Sequence, residues 1–427
     1  MYWRNALLIL VLVFFTACVN SPQKQNKFDF NTTLKEERQN NDYLILQSLF
    51  ALHYGDANEA LDGFDQLYKK TKNKIYLKKA IEIAFVTKND RLSDYIKSSQ
   101  KALSDDEDFM RINIGYYLMN GQIAPAKKIS QKLLNYDSNN SSNHNIIGTI
   151  YVIENDLNAA LKEFEKAYDL EQNEDNLLKM VDVLSKLGRN DDAKNYLINW
   201  KEENGCTQSV CLSLINLYSK EENFTKIVEL YIDLYKIYSE TIYLQSALGV
   251  FIYKKDYYGA KQLLEEYGFN NKALMDLYAT LGEKDKAYDM AFKLYKSTQN
   301  NSYKSLMAIY KYEMYEKNIS KTNLDEVLVL FEESVYKNND PIFYNYYGYL
   351  LIDHNINVKK GIELTKKAHE LDPDSSYIID SVAWGYYKLG RCKEAKKWMD
   401  KVKDDVEFMS SAEAKEHKTA IDTCTKK

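Results

Sequence analysis

Glycine and proline are scarce in this chain: 15 and 4 among 427 residues, against average usage of about 7% and 5%. Both residues shape the corners of loop-rich β and doubly wound folds, so their shortage counts against those folds and favours helices joined by short turns. Histidine is also rare, at 5. His53, His144, His354, His369 and His417 lie far apart in the sequence, and no Cys-x2-Cys pair accompanies them. No metal site and no cofactor is therefore expected. Nucleophile elbow, Gly-rich phosphate loop, dinucleotide fingerprint and H-E-x-x-H are all missing, and no enzyme activity is expected. Nor is there an excess of basic residues. With 57 Lys and Arg against 62 Asp and Glu, the net charge is -5, which leaves no footprint for nucleic acid. The apolar run Ala6–Phe15 is too short for a permanent membrane span. Tyrosine, by contrast, is abundant at 36, and reads first as packing between helices.

The stretch from Ser141 to Asn173 shows how the chain is built. Gly148 is followed three residues on by Tyr151, and Ala160 by Phe164 and Ala167. Small Gly148 and Ala160 suit the close approach of two antiparallel helices, and Tyr151, Leu161 and Phe164 fill the space between them. Asn155-Asp156 supplies the turn, with Asp156 placed to cap the second helix. One such pair cannot bury its apolar faces alone, so neighbours must stack on both sides. The spacing recurs at about 34 residues. It appears at Gly55-Asp56 with Ala60 and Phe64, weakly around Asn89-Asp90, and at Tyr117, Gly121 and Ala126. It continues at Gly188 and Ala193, at Tyr218, Phe224 and Tyr231, at Asp256 and Ala260, and at Tyr278, Gly282 and Ala287. An irregular unit follows, its first helix ending near Asn318 and Phe331 lying on its second. Tyr347–Leu351 with Gly361 and Ala368, then Asp380–Tyr386 with Gly390 and Ala395, complete the series.

This spacing resembles the tetratricopeptide repeat, and the last two units resemble the C-terminal repeats of bacterial envelope lipoproteins of that type. The resemblance implies an all-α, right-handed superhelical solenoid of about eleven helix pairs over residues 42–405, with first helices lining a concave face. Residues 406–427 form a capping helix and tail, in which Val406–Thr423 is expected to be one amphipathic helix. On the first helices of the last two pairs, the non-packing positions carry Asn345, Tyr349, Tyr377, Asp380, Trp384 and Tyr387. Aromatic groups with a polar tip anchor peptides and helices well, and these six are candidates for a partner-binding groove.

At the N-terminus, Arg4, the apolar run and Phe15-Thr16-Ala17-Cys18 resemble the signal and lipobox of bacterial lipoproteins. The resemblance implies a signal peptide at 1–17 cut before Cys18, whose thiol takes diacylglycerol and whose new amino group takes a fatty acyl chain such as palmitate. Several chains together anchor a protein stably in a membrane. Val19 in place of aspartate favours the outer membrane, facing the periplasm. Residues 18–41 are polar and aperiodic, a tether between lipid and fold.

Four further cysteines, Cys206, Cys211, Cys392 and Cys424, permit three connectivities if all are paired. Free buried thiols are the other reading. An antiparallel capping helix would return Cys424 beside Cys392, while Cys206 and Cys211 flank one turn. Asn31, Asn139, Asn223 and Asn318 each lie in an acidic-x-Asn-x-Ser/Thr context. That pattern resembles the extended sequon of bacterial periplasmic N-glycosylation and makes them glycan acceptor candidates. An Asn-rich chain that places Asn in turns accounts for them equally. Taken together, the sequence predicts a lipid-anchored, non-enzymatic scaffold that binds envelope proteins. The alternative is an accessory lipoprotein that presents a glycan or peptide to a transporter or envelope enzyme.

Overall fold

The structure, a computed structural model, describes residues 41–426. The expected signal peptide, Cys18, most of the tether and the sequon at Asn31 lie outside them. Among the described residues every regular element is a helix. The chain divides into two compact units at Glu221 and Glu222. The first holds α1 (Asn41–His53), α2 (Ala57–Thr71), α3 (Lys74–Val86), α4 (Leu92–Leu103), α5 (Glu107–Met119) and α6 (Ile123–Tyr136). It continues with α7 (Ser141–Ile153), α8 (Leu157–Leu170), α9 (Glu174–Lys186), α10 (Asn190–Asn204) and α11 (Gln208–Lys220). The second opens with α12 (Phe224–Tyr238), α13 (Thr241–Tyr253), α14 (Tyr257–Tyr267), α15 (Asn271–Thr280), α16 (Lys284–Thr298) and α17 (Asn301–Tyr315). It ends with α18 (Lys321–Ser334), α19 (Pro341–Asp353), α20 (Val358–Leu371), α21 (Ser376–Lys388), α22 (Cys392–Met399), α23 (Val406–Met409) and α24 (Ala412–Thr425). In chain order α1 to α22 alternate as first and second helices, and two closing helices follow.

Local chemistry sets the alternation. A first helix ends where one residue turns left-handed, such as Asn155 at φ 61° or Gly188 at φ 77°, a conformation that Gly and Asn adopt cheaply. The next polar side chain then caps the second helix. The Asp56, Asp156 and Asp256 carboxylates accept the backbone N–H of Glu59, Ala159 and Gly259 at 3.0, 3.1 and 2.9 Å. Each such cap is worth about 1 kcal/mol. Second-helix alanines Ala60, Ala126, Ala160, Ala193, Ala260, Ala287, Ala368 and Ala395 are completely buried. They form the close-approach line that lets the aromatic and branched residues of each first helix pack across.

Two departures have local causes. The ninth pair inserts a 3₁₀ turn at Glu316–Asn318 before Ser320 caps α18 by accepting the Asn323 N–H at 3.1 Å. The expected single closing helix is instead broken between α23 and α24. The Ser411 hydroxyl accepts the Ala414 N–H at 3.2 Å, so serine acts as a helix start here. Without Gly or Pro at the break, the apolar periodicity runs on and conceals it.

Candidate functional site: a groove across three first helices

In the first unit, α3, α5 and α7 lie side by side and enclose an open groove of about 590 Å³. Its lining follows helical spacing: Ile81 and Phe85 on α3, Asp108, Arg111, Ile112, Gly115 and Leu118 on α5, and Ser142, Ile146 and Thr149 on α7. Residues spaced by three, four and seven share one helix face. Ile81, Phe109 and Ile114 are buried and belong to the core beneath. Phe85, Ile112, Leu118 and Ile146 are only half-buried and form an accessible apolar floor. Gly115 makes room for the floor, because a Cβ there would lie 2.6 Å from Phe85 Cζ.

The rim is charged but satisfied within itself. Lys78 Nζ lies 2.9 Å from carboxylate oxygens of both Asp106 and Asp108. The hydrogen bond to Asp106 is the main reason its ammonium is held above the usual lysine value, and the bond from Lys78 holds Asp108 below the usual carboxylate value. Arg111 donates to Glu107 at 2.8 Å, Asp108 at 3.2 Å and the Asn143 amide oxygen at 3.2 Å. Behind the groove, the buried Asn145 amide donates to Asn176 Oδ1 at 2.6 Å. Asn176 in turn donates to the Ala167 and Glu171 carbonyls at 3.2 and 2.8 Å. His144 is held by Glu163 at 2.7 Å and the Ser138 carbonyl at 3.0 Å, which ties α7 to α8. The groove is therefore an apolar slot on a rigid polar frame, suited to binding and without a nucleophile–base pair.

The six candidates on α19 and α21 have a different fate. Asp380 and Trp384 are buried, at 3% and 7% exposure, and Asn345, Tyr349 and Tyr387 are half-buried. Only Tyr377 among them is open, at 62%, with its ring edge-on to Phe408 at 5.1 Å. The cover is α24. His417 bonds Asp380 at 2.7 Å and stacks on Trp384 at 3.9 Å between ring centroids. The chain's own last helix therefore covers this wall at Tyr349, Asp380 and Trp384.

Both cysteine pairs are joined, Cys206–Cys211 and Cys392–Cys424, each with Cα atoms 5.6 Å apart. Asn139 is exposed in the turn before α7, Asn223 is exposed and caps α12, and Asn318 is exposed in the 3₁₀ turn. Among the described residues no three His, Cys, Asp or Glu side chains gather as metal ligands, and no helix is long and apolar enough to cross a membrane. The groove on α3, α5 and α7 escaped the sequence pattern because the second repeat is degenerate around Asn89-Asp90. Its signal was apolar residues extending around most of α3 and α5 instead of keeping to one stripe.

No protein-family model and no curated protein matches this sequence. Solved structures do. The Naa15/Naa10 complex bound to HypK-THB is 14% identical with a TM-score of 0.32, covering 84% of this chain and 63% of that one, so this chain spans under two thirds of its length. A tetratricopeptide repeat protein from Parabacteroides merdae is 13% identical with a TM-score of 0.30, covering 65% of this chain and 98% of that one. YrrB, a tetratricopeptide protein with an unusual peptide-binding site, is 18% identical with a TM-score of 0.31, covering 42% of this chain and 90% of that one. Scores this low carry no weight for function. The helix pairs themselves, with their alanine approach line, left-handed turns and acidic caps, give this chain the fold of a tetratricopeptide-repeat protein.

Proposed function

We propose that this chain is a non-enzymatic protein-interaction scaffold, held at a membrane by lipid on Cys18 and facing the periplasm, with the outer membrane favoured. Its work is to assemble or stabilise an envelope complex by binding a segment of a partner protein. The observation that carries the reading is the open slot on α3, α5 and α7, whose rim charges already pair with one another. With the rim's lysine and arginine already held by its own carboxylates, apolar side chains of a peptide or helix supply the contact, and the polar rim excludes water around them. The test is crosslinking in intact cells followed by affinity purification and mass spectrometry. Cys18→Ala and the groove variant Ile112→Gln with Ile146→Gln are run beside wild type. A defined set of envelope proteins, depleted in both variants at equal protein level, supports the reading. The same set recovered from the groove variant refutes the groove.

The groove volume also falls within the range of about 300–1,000 Å³ typical of small-molecule pockets. This favours one second reading, an accessory lipoprotein that presents a glycan or peptide. Thermal stabilisation by a small ligand, with no protein partner recovered, would select it.

A further inference from the structure

The helix α24 lies where a ligand would lie. In the first unit, the sixth residue before the left-handed turn residue lines the open groove: Gly115 before Gly121, and Thr149 before Asn155. In the second unit the same register places Tyr349 before Asn355 and Trp384 before Gly390, and these two receive α24. The helix presents Ala414, His417 and Ile421, all buried, at the i, i+3, i+7 spacing with which an amphipathic helix enters a groove. Trp384 stacks on His417 on one side and on Tyr387 at 4.7 Å, and donates its indole N–H to Asp353 Oδ1 at 3.1 Å. Tyr349 lies 6.2 Å from the His417 ring.

This contact is built for replacement more than for permanence. Its centre is a buried histidine–carboxylate pair, and Asp380 Oδ1 is buried without any partner. Such pairs define a docking register and stabilise less than apolar packing of the same size. Ala414 and Ile421 supply its fully buried aliphatic surface, and half-buried Ala420 packs beside them. The remaining fastenings join it to α22: a half-exposed ion pair of Lys396 with Asp422 at 2.8 Å and the covalent Cys392–Cys424, with both cysteines half-buried and an opening of about 820 Å³ beside them, lined by Tyr387, Lys415, Glu416 and Thr419.

We propose that the wall of Tyr349, Asp380, Trp384 and Tyr387 is a second binding surface, closed by α24 in the oxidised chain and opened to a partner helix when a dithiol reduces Cys392–Cys424. The partner carries the chemistry of α24, a helix with a small apolar residue, a histidine and an aliphatic residue on one stripe. In the opening step a thiolate of the dithiol attacks one cysteine sulfur and forms a mixed disulfide. Its second thiol then resolves the intermediate. Cys392 and Cys424 gain two electrons and two protons, and the dithiol leaves as its own disulfide. This surface is distinct from the groove on α3, α5 and α7.

Hydrogen exchange of the full chain with and without dithiothreitol tests the latch. The amides of α24 are expected to exchange at least tenfold faster after reduction, while α19 to α22 keep their protection. The Cys392→Ser, Cys424→Ser chain without reductant reproduces this if the outer disulfide alone is responsible, which removes Cys206–Cys211 from the account. Unchanged α24 protection, or loss of α21 and α22 together with it, would make α24 a permanent cap and overturn the proposal. The surface itself is tested with a labelled peptide of residues 411–426 carrying Cys424→Ser. The receiving chain carries His417→Ala to weaken its tethered competitor. The peptide is expected to bind the reduced chain at least tenfold more tightly than the oxidised one, and to lose that advantage when it also carries His417→Ala. No binding to a reduced chain whose α24 has opened would equally overturn the proposal.

Discussion

Replacing Gly348 with alanine tests whether the tenth pair depends on direct contact between helix backbones. A Cβ at this position would lie 2.8 Å from the Gly361 carbonyl oxygen, 2.8 Å from Thr365 Cγ2 and 3.0 Å from the Thr365 nitrogen. Two of the three are backbone atoms, so relief requires α19 and α20 to separate, which loosens buried Leu351, Leu364 and Thr365. Overpacking a core costs about 1–3 kcal/mol, and alanine in place of glycine in a helix recovers about 1 kcal/mol. Because backbone atoms must move, the upper part of that cost applies, about 2–3 kcal/mol, and the expected net loss is about 1–2 kcal/mol. Gly115→Ala is the control. Its Cβ would meet the Phe85 ring at 2.6 Å, but that ring is half-buried at the groove and can swing aside, so stability is expected to stay within about 0.5 kcal/mol. Hydrogen exchange read pair by pair is the suitable assay, because losses in a repeat array stay near the altered pair and a single midpoint is poorly defined. If α19 and α20 of Gly348→Ala exchange as slowly as in wild type, or if Gly115→Ala loses as much, the account of close backbone approach is wrong.

Other outcomes follow from the same contacts. Asn145→Ala leaves the buried Asn176 Oδ1 without its 2.6 Å donor and should destabilise α7 to α9 by about 1–3 kcal/mol, read by urea titration of a reporter placed in that region. Removing Cys206–Cys211, which closes a loop with a separation of 5, should cost less than removing Cys392–Cys424, with a separation of 32. Chain entropy gives about 2 and about 4 kcal/mol for the two, and equal losses on denaturation would contradict that ordering. Burial raises the Asp380 carboxyl above its ordinary value of 3.8, with His417 partly opposing. A carboxyl raised in the folded state contributes stability that is complete below the unfolded value and is lost as pH rises through the folded one. Asp380→Asn should therefore gain on wild type as pH climbs from about 4 towards 7, measured as exchange protection of α21 and α24. A constant difference across that range would show that burial of the charge is not what matters.

The array was legible because its rules are local. Ala60, Ala160 and Ala395 mark where second helices touch first ones, and Asp56, Asp156 and Asp256 mark where second helices begin, all within a few residues of a turn. The irregular ninth pair was legible for the same reason. Long-range choices were not. Tyr349, Asp380 and Trp384 stand at first-helix positions that do not pack within their own pairs, but only the folded chain shows that α24 returns to cover them. The break at Ser410–Ser411 depends on a single hydroxyl capping a helix, which competes evenly with helix continuation in sequence terms. The groove was hidden for the opposite reason: Phe85, Ile112 and Ile146 look like core residues, and only packing shows that their outer sides have no neighbour.

The two units thus use one register of their first helices in two ways, and the difference can be measured. Side chains of the groove on α3, α5 and α7 are open regardless of the state of Cys392–Cys424. Those on α19 and α21 are reached only once α24 has left. A photo-crosslinking residue at Ile112 should therefore capture its partner equally in oxidised and reduced protein. One at Tyr387, half-buried beside α24, should capture a partner helix only after reduction, with a gain of about tenfold or more if the latch contributes over about 1.4 kcal/mol to closure. Capture at Ile112 that also required reduction would mean that the groove is not an independent site. Capture at Tyr387 in the oxidised chain would mean that α24 does not close the wall.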